Sequence, residues 1–368
     1  MIKGIRVSDK NDIFLDLLRI FSCLGVIGIH THMESIFLER LVHLGLPMFF
    51  LLSGYFLLER CNADEVLKFY HGRFLKVVLP FLCYGVFYGC WIYPAGRILV
   101  RPTKELIING IKYIPHSVMD NLNDSIWFHF WFMYELIGLY LIFPFLGQGL
   151  KALSDKALRS LMILMMITQF LVDFLPVVGK NFPFQHYFGW VIYLVFGYAF
   201  SREYFKKKYV LFAVMGLLAF GIQLIVYRFA PDTVELIQHT SDLNPWEVLA
   251  VCGLFAFVSM ISGKYYGSFQ GKPTGKVYFV VKHVIGFVAA YTFSVYLIHG
   301  QVATWWSQAD RMASLRVSRV NLWSMLSICI IFGASFAFSF VFDNLIVDNI
   351  VRLYAFCVSK LTAPKKQA

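Results

Sequence analysis

The chain has 368 residues, 58% of them hydrophobic, 18% aromatic and only 15% charged, with a mean hydropathy of +0.64. Soluble domains average about a quarter charged residues, so the composition excludes a soluble globular protein and predicts an integral membrane protein. The net charge of +11 does not predict a nucleic-acid partner, because the cations fall between apolar spans, where membrane proteins place them to set topology.

The apolar runs approach the length of a bilayer-crossing helix, whereas a β-barrel would show short alternating segments. Ten spans are expected, near residues 13–33, 41–58, 75–95, 127–147, 159–176, 186–201, 209–230, 246–263, 284–304 and 321–347. The fold class is therefore all-α: a polytopic integral membrane protein of about ten transmembrane helices with no soluble domain. Residues 1–361 are expected to form one transmembrane domain and residues 362–368 a disordered tail. The start, Met1-Ile2-Lys3-Gly4-Ile5-Arg6, is basic, but no small-residue cleavage site follows the first apolar run, so no cleavable signal is expected.

The first span carries an arginine and a histidine, Arg19 and His30, inside an apolar run. A cation in hydrocarbon is costly, so an ionisable residue there is a functional hypothesis by default. Eleven positions separate the two, about 1100° at roughly 100° per residue, or three turns plus about 20°. Both side chains are expected on one face, about 16 Å apart along the axis, a fixed cation and a base that titrates near neutrality. An arginine snorkelling to one surface and a histidine at the other would give the same pattern without a function.

In span two, Pro47 is tolerated or kinks the helix, and Ser53-Gly54 lets another backbone approach closely. Arg73 and Lys76 follow, three apart and so on one helical face at the membrane boundary; they suit phosphates or serve as positive-inside anchors. The long connection from 96 to 125 contains an amphipathic segment, 104–114, of the kind that lies on a membrane surface. Span four opens with an aromatic belt, Trp127 to Tyr134, which accounts for the tryptophans but not for His129 or Glu135.

Spans five to eight read as scaffold, with Asp173, Glu203, Asp232, Glu235 and Glu247 near ends or loops, where charge costs little. Residues 263–282, rich in Gly and Lys, read as a loop. Span nine embeds a further histidine in Phe293-Ser294-Val295-Tyr296-Leu297-Ile298-His299-Gly300, and the last span ends in Phe342-Asp343-Asn344.

With the N-terminus inside, 22 of the 33 Lys and Arg fall in inside segments and 10 outside, which predicts cytoplasmic N- and C-termini. Lys206-Lys207-Lys208 is then an anchor to anionic lipid. In that topology His30, His129 and His299 all sit in the outer half at similar depth, and Arg19 in the inner half. Seven scattered cysteines show neither a disulfide framework nor ligand spacing, so no metal site is expected.

Taken in order, Arg19-x10-His30, Pro47-Met-Phe-Phe-Leu-Leu-Ser53-Gly54-Tyr55, Arg73-Phe-Leu-Lys76 with Pro80, His129-Phe-Trp131-Phe with Tyr140 and Pro144, and Tyr296-Leu-Ile-His299 resemble the membrane acyltransferase-3 family over nearly the whole chain. That resemblance implies about ten membrane helices in the bacterial inner membrane and acyl-coenzyme A, most often acetyl-CoA, as co-substrate, with no tightly bound cofactor. It implies O-acylation of a surface polysaccharide or lipid-linked oligosaccharide, and the stand-alone subgroup acting on enterobacterial common antigen or O-antigen is the nearer likeness. Arg19 and His30 match the family's functional pair. Two departures stand out. Lys76 replaces a frequent arginine, keeping charge but losing bidentate phosphate geometry. Glu135 follows Trp131 by four positions, where the family's members with a soluble esterase-like C-terminal extension tend to have an acid at five, so that role is not carried over.

The implied roles are His30 as base or acylated intermediate, Arg19 at the donor's carbonyls, Arg73 and Lys76 at the coenzyme's phosphates, and His129, Trp131, Tyr296 and His299 at the acceptor end. Two other classes remain open: a secondary transporter or sugar flippase using Arg19 and His30 as a relay, and a non-catalytic component of a polysaccharide synthesis complex.

Overall fold

A computed structural model describes residues 12–31, 33–90, 129–174, 188–230, 242–268, 275–313 and 320–362. Among them the secondary structure is helical, without a strand. Several expectations lie outside the described residues: the basic start, the amphipathic 104–114 segment, Trp127, Asp232, Glu235 and the tail 363–368.

Helix α1 spans Ile13–Ile29. Asp12 caps it, its Oδ1 accepting the Phe14 N–H at 2.8 Å, which satisfies one of the amides left open at a helix start. Helix α2, Ile36–His43, is capped by Ser35, and α3, Gly45–Leu57, follows with Pro47 in its first turn. There a proline costs little, because no hydrogen bond is owed. Helix α4, Val66–Arg73, passes through a π-turn, Phe74–Val78, into α5, Leu79–Cys90. The remaining helices are α6 (Trp131–Ala152), α7 (Asp155–Phe174), α8 (Val191–Ser201), α9 (Tyr209–Phe229), α10 (Pro245–Ser268), α11 (Lys276–Ala313) and α12 (Val320–Phe342). A second π-turn, Asp343–Val347, leads into α13, Asp348–Thr362.

Every one of the ten expected spans contains helix. Among the described residues, six stretches are long and apolar enough to cross a membrane: Ile36–Arg60, Trp131–Ala152, Tyr209–Phe229, Pro245–Lys264, Lys276–Ser307 and Asn321–Val358.

Two expectations need correction. Residues 263–282 are not a loop throughout, since α10 continues to Ser268 and α11 begins at Lys276. The Gly and Lys there mark where the chain meets polar surroundings, and a helix that leaves the bilayer keeps its own backbone bonds. At 38 residues and 1.5 Å per residue, α11 runs about 57 Å, well beyond a hydrocarbon core of roughly 30 Å. Asp173 and Glu247 are not at low-cost ends either, being 3% and 1% exposed. Glu247 sits in the first turn of α10, where the helix dipole favours an anion, with the buried Arg40 within electrostatic reach.

Helix α1 packs on α3, α11 and α12, while α8 lies along α3 and α9 along α10. Small residues permit the closest of these contacts. A Cβ placed on Gly54 would stand 2.2 Å from the Leu194 carbonyl oxygen, and one on Gly197 2.0 Å from that of Leu51. Without side chains the two backbones touch, as the Ser53-Gly54 pair predicts. A buried carboxylate closes the other side: Tyr84 donates to Asp343 Oδ1 at 3.1 Å and Ser294 to Oδ2 at 2.5 Å. These bonds hold α5, α11 and the end of α12 in one register, with Ser294 five residues before the histidine of α11.

Candidate active site

Three histidines from three distant parts of the chain meet. His30 is the C-cap of α1, His129 lies in the turn before α6, and His299 is inside α11. The rings of His30 and His299 stack, with centroids 5.6 Å apart and planes 18° from parallel. His129 lies 4.7 Å from His299, tilted by 60°. His299 is fully buried and His129 2% exposed, while His30 opens to solvent-accessible space.

Backbone carbonyls set the tautomers. A carbonyl oxygen only accepts, so the 2.6 Å contact of His299 Nδ1 with the Tyr296 oxygen requires a proton on Nδ1. The lone pair of neutral His299 is then on Nε2, which is buried and has no hydrogen-bond partner among the described residues. His129 Nε2 meets the Leu297 oxygen at 3.3 Å, and Tyr88 donates to the same oxygen at 2.9 Å. The Tyr296 hydroxyl donates to the His129 carbonyl. Gly300 makes room for this ring, since a Cβ there would stand 2.5 Å from His129 Cε1.

Three imidazoles in contact invite a metal, but stacked rings turn faces, not lone pairs, toward each other. No group of three or more His, Cys, Asp or Glu that could hold a metal ion occurs among the described residues.

Below the cluster lies a cleft of about 220 Å³ whose polar wall is Arg19, Ser53, Arg73, Tyr140, Thr292 and Tyr296. Arg19 Nη1 is 2.6 Å from Asp16 Oδ1, one turn back on α1, and the guanidinium lies 4.4 Å above the Phe56 ring. The Arg73 guanidinium stands 5.6 Å from the Phe69 ring centre and 5.8 Å from that of Tyr140. Tyr296 lines the cleft and, one turn on, its ring is 5.4 Å from His299. It is the link between arginines and histidines.

At the other end of α1 a second pocket, about 310 Å³, is lined by His30, Thr31, Met33, Glu39 and His43 among others. Arg19 and His30 thus face two cavities strung along one helix.

Of the sequence-predicted residues, Arg19, Arg73 and Tyr296 meet in the cleft, and His30, His129 and His299 in the cluster. Lys76 and Trp131 join neither. The π-turn Phe74–Val78 starts directly after Arg73, its defining bond running from the Leu79 N–H to the Phe74 oxygen. A turn closed by an i→i+5 bond holds more residues than an α-turn; Lys76 lies inside it, within electrostatic reach of Arg73 but exposed and not among the residues lining the cleft. Trp131, 39% exposed, packs on Trp190 at 5.8 Å.

Sequence reading passed over Asp16, Gly300, Glu39 and His43. The Asp16–Arg19 spacing of three was a visible signal, as was the four-residue spacing of Glu39 and His43. Nothing local marks Gly300 as the space for a histidine far away in the chain.

Chemically, the arrangement joins a cleft lined by two arginines, three imidazoles whose ring nitrogens can carry a proton, and a polar pocket that opens beside His30. Residues 12–343 match the acyltransferase-3 family, described as an acyltransferase domain. No curated protein and no solved structure matches the chain.

Proposed function

The chain belongs to the acyltransferase-3 family, the match covering most of its length, and on that premise we propose that it transfers an acyl group, acetyl foremost, from acyl-coenzyme A to a hydroxyl of a surface carbohydrate. The reading places the protein in a bacterial inner membrane with both termini cytoplasmic, so that the arginine cleft takes donor from within and the histidine pocket takes acceptor from outside. The observation that carries it is the continuity from Arg19 and Arg73 through Tyr296 to the stacked His299 and His30.

A sugar hydroxyl is a weak nucleophile at neutral pH and needs a positioned base. His30, accessible from the pocket, takes the hydroxyl proton as the sugar oxygen attacks the thioester carbonyl. The carbon–sulfur bond breaks, coenzyme A leaves as thiolate, and the imidazolium returns the proton to sulfur. Acylation of His30 followed by transfer gives the same products by two steps. His299 and His129 keep the ring of His30 in place. Arg19, in a cleft walled by aromatic rings, binds a carbonyl of the donor's pantetheine arm, and Arg73 takes a phosphate oxygen of the donor.

Purified protein in nanodiscs, given acetyl-CoA and a crude surface-glycan extract, should release free coenzyme A only when glycan is present, and Arg19→Ala should weaken that release. Absence of glycan-dependent release with acetyl and longer acyl donors alike would overturn the reading.

A further inference from the structure

The pocket that exposes His30 has a second polar face. We propose that this face, Glu39 and His43 of α2 with Asp242 behind them, is the acceptor subsite and that it takes a neutral sugar ring. The inference rests on the acyltransferase reading above.

Glu39 and His43 are four positions apart and so project from one side of α2; both line the pocket together with His30 and Thr31. Its volume of about 310 Å³ lies at the small end of ligand sites, which run from roughly 300 to 1,000 Å³, the scale of one ring and not of a chain. His43 Nδ1 is 3.3 Å from Asp242 Oδ1, and the Asp242 carbonyl in turn accepts from the Tyr193 hydroxyl. Asp242 is therefore a positioning residue for the His43 imidazole. The Arg40 guanidinium lies 4.2 Å over the Tyr227 ring and fastens α2 from behind. It stands 4.0 Å from Glu39 Oε1, beyond hydrogen-bond distance. The chain between α1 and α2 is tied to α12, because the Glu34 and Ser35 N–H groups each donate to Asn321 Oδ1 at 3.0 Å. The wall facing His30 is thus preorganised on both sides.

The chemistry of that wall selects its occupant. A carboxylate accepts from two neighbouring hydroxyls, and a fixed imidazole offers one further donor or acceptor. Among the described residues no lysine or arginine lines the pocket. A uronate or a phosphorylated sugar would meet Glu39, with Asp242 just behind, and no lysine or arginine among the described lining residues to compensate. A neutral hydroxylated ring meets only hydrogen-bonding partners, with one hydroxyl next to His30.

The test uses the full chain in nanodiscs, acetyl-CoA and a surface-glycan extract of the producing cells. Steady-state constants are measured for wild type, Glu39→Gln and Asp242→Asn, and NMR of the product identifies the acylated residue. Both substitutions keep side-chain shape, and thermal unfolding checks that each variant is folded. The proposal predicts an acceptor KM raised about tenfold or more in Glu39→Gln, the scale set by losing a hydrogen bond to a charged group. It predicts a smaller rise in Asp242→Asn, an unchanged KM for acetyl-CoA in both, and the acyl group on a neutral sugar. An unchanged acceptor KM, an equal rise in both KM values, or acylation of a uronic acid would overturn the subsite while leaving the acyltransferase reading intact. No glycan-dependent turnover by wild type would overturn both.

Discussion

His299 and Asp16 show how single residues set this site. The Tyr296 carbonyl holds a proton on His299 Nδ1, and the ring it orients stacks on the face of His30. Replacing His30 by Gln should lower turnover by roughly 10²- to 10⁴-fold, the usual worth of a general base, and His299→Gln by less, because it acts through His30. Neither change should alter the KM for acyl-CoA, since the arginine cleft is untouched; steady-state coenzyme A release measures both constants. Asp16 is 3% exposed and holds Arg19 at 2.6 Å. Asp16→Asn leaves the guanidinium without its counter-charge. Removing one partner of a fully buried pair costs about 3–5 kcal/mol, but the Arg19 side chain keeps 32% of its exposure, so a loss of roughly 1–3 kcal/mol is expected. A lowered unfolding temperature in detergent would register it. At this scale the sequence was partly legible. Ionisable side chains in apolar helices announce themselves through their cost, and Arg19, His30, His129 and His299 were visible for that reason. Asp16 was overlooked because a carboxylate next to the start of a span reads as ordinary end polarity.

Helix α4 and its continuation show the limit of periodicity. Three-residue spacing suggests that Arg73 and Lys76 serve one site, but Arg73 lines the cleft while Lys76, inside the π-turn Phe74–Val78, is exposed and outside its lining. Arg73→Ala should raise the KM for acyl-CoA several-fold or more, whereas Lys76→Ala should leave it near the wild-type value; equal effects would place both at the donor. Helix α11 offers the complementary case. Ala is preferred over Gly inside a helix by up to about 1 kcal/mol, so Gly300→Ala would ordinarily stabilise. Here the added Cβ enters the His129 ring, and overpacking costs about 1–3 kcal/mol. The variant is expected to be no more stable than wild type and to lose activity, as paired unfolding and turnover measurements would show. Breaks such as π-turns arise from packing between helices, and so escaped a reading made one segment at a time. The helices themselves did not escape it, because long apolar runs have no other way to satisfy their backbone in a bilayer.

Across the whole molecule, the order of cationic cleft, histidine cluster and polar pocket along α1 matches the order in which a membrane enzyme would meet a donor on one side and an acceptor on the other. Counting residues into spans of alternating direction places the three histidines at a similar depth, and helix packing then brings their rings together. What counting did not give is the lateral arrangement, in which α3 presses on α8 and α11 passes beside α1, because this depends on which small residues face each other. The proposed orientation makes a prediction of its own. Cys357 is exposed on α13. With Cys357 as the one thiol retained, a membrane-impermeant maleimide should label it in inverted vesicles and not in intact cells stripped of their outer membrane. Labelling in the intact cells would reverse the orientation.

The most direct test of the account compares acyl-CoA binding with acyl transfer in wild type and His30→Gln, using the full chain in nanodiscs and a surface-glycan acceptor. The account predicts that His30→Gln binds acetyl-CoA with wild-type affinity and transfers almost none of it. Transfer by His30→Gln at the wild-type rate would contradict it.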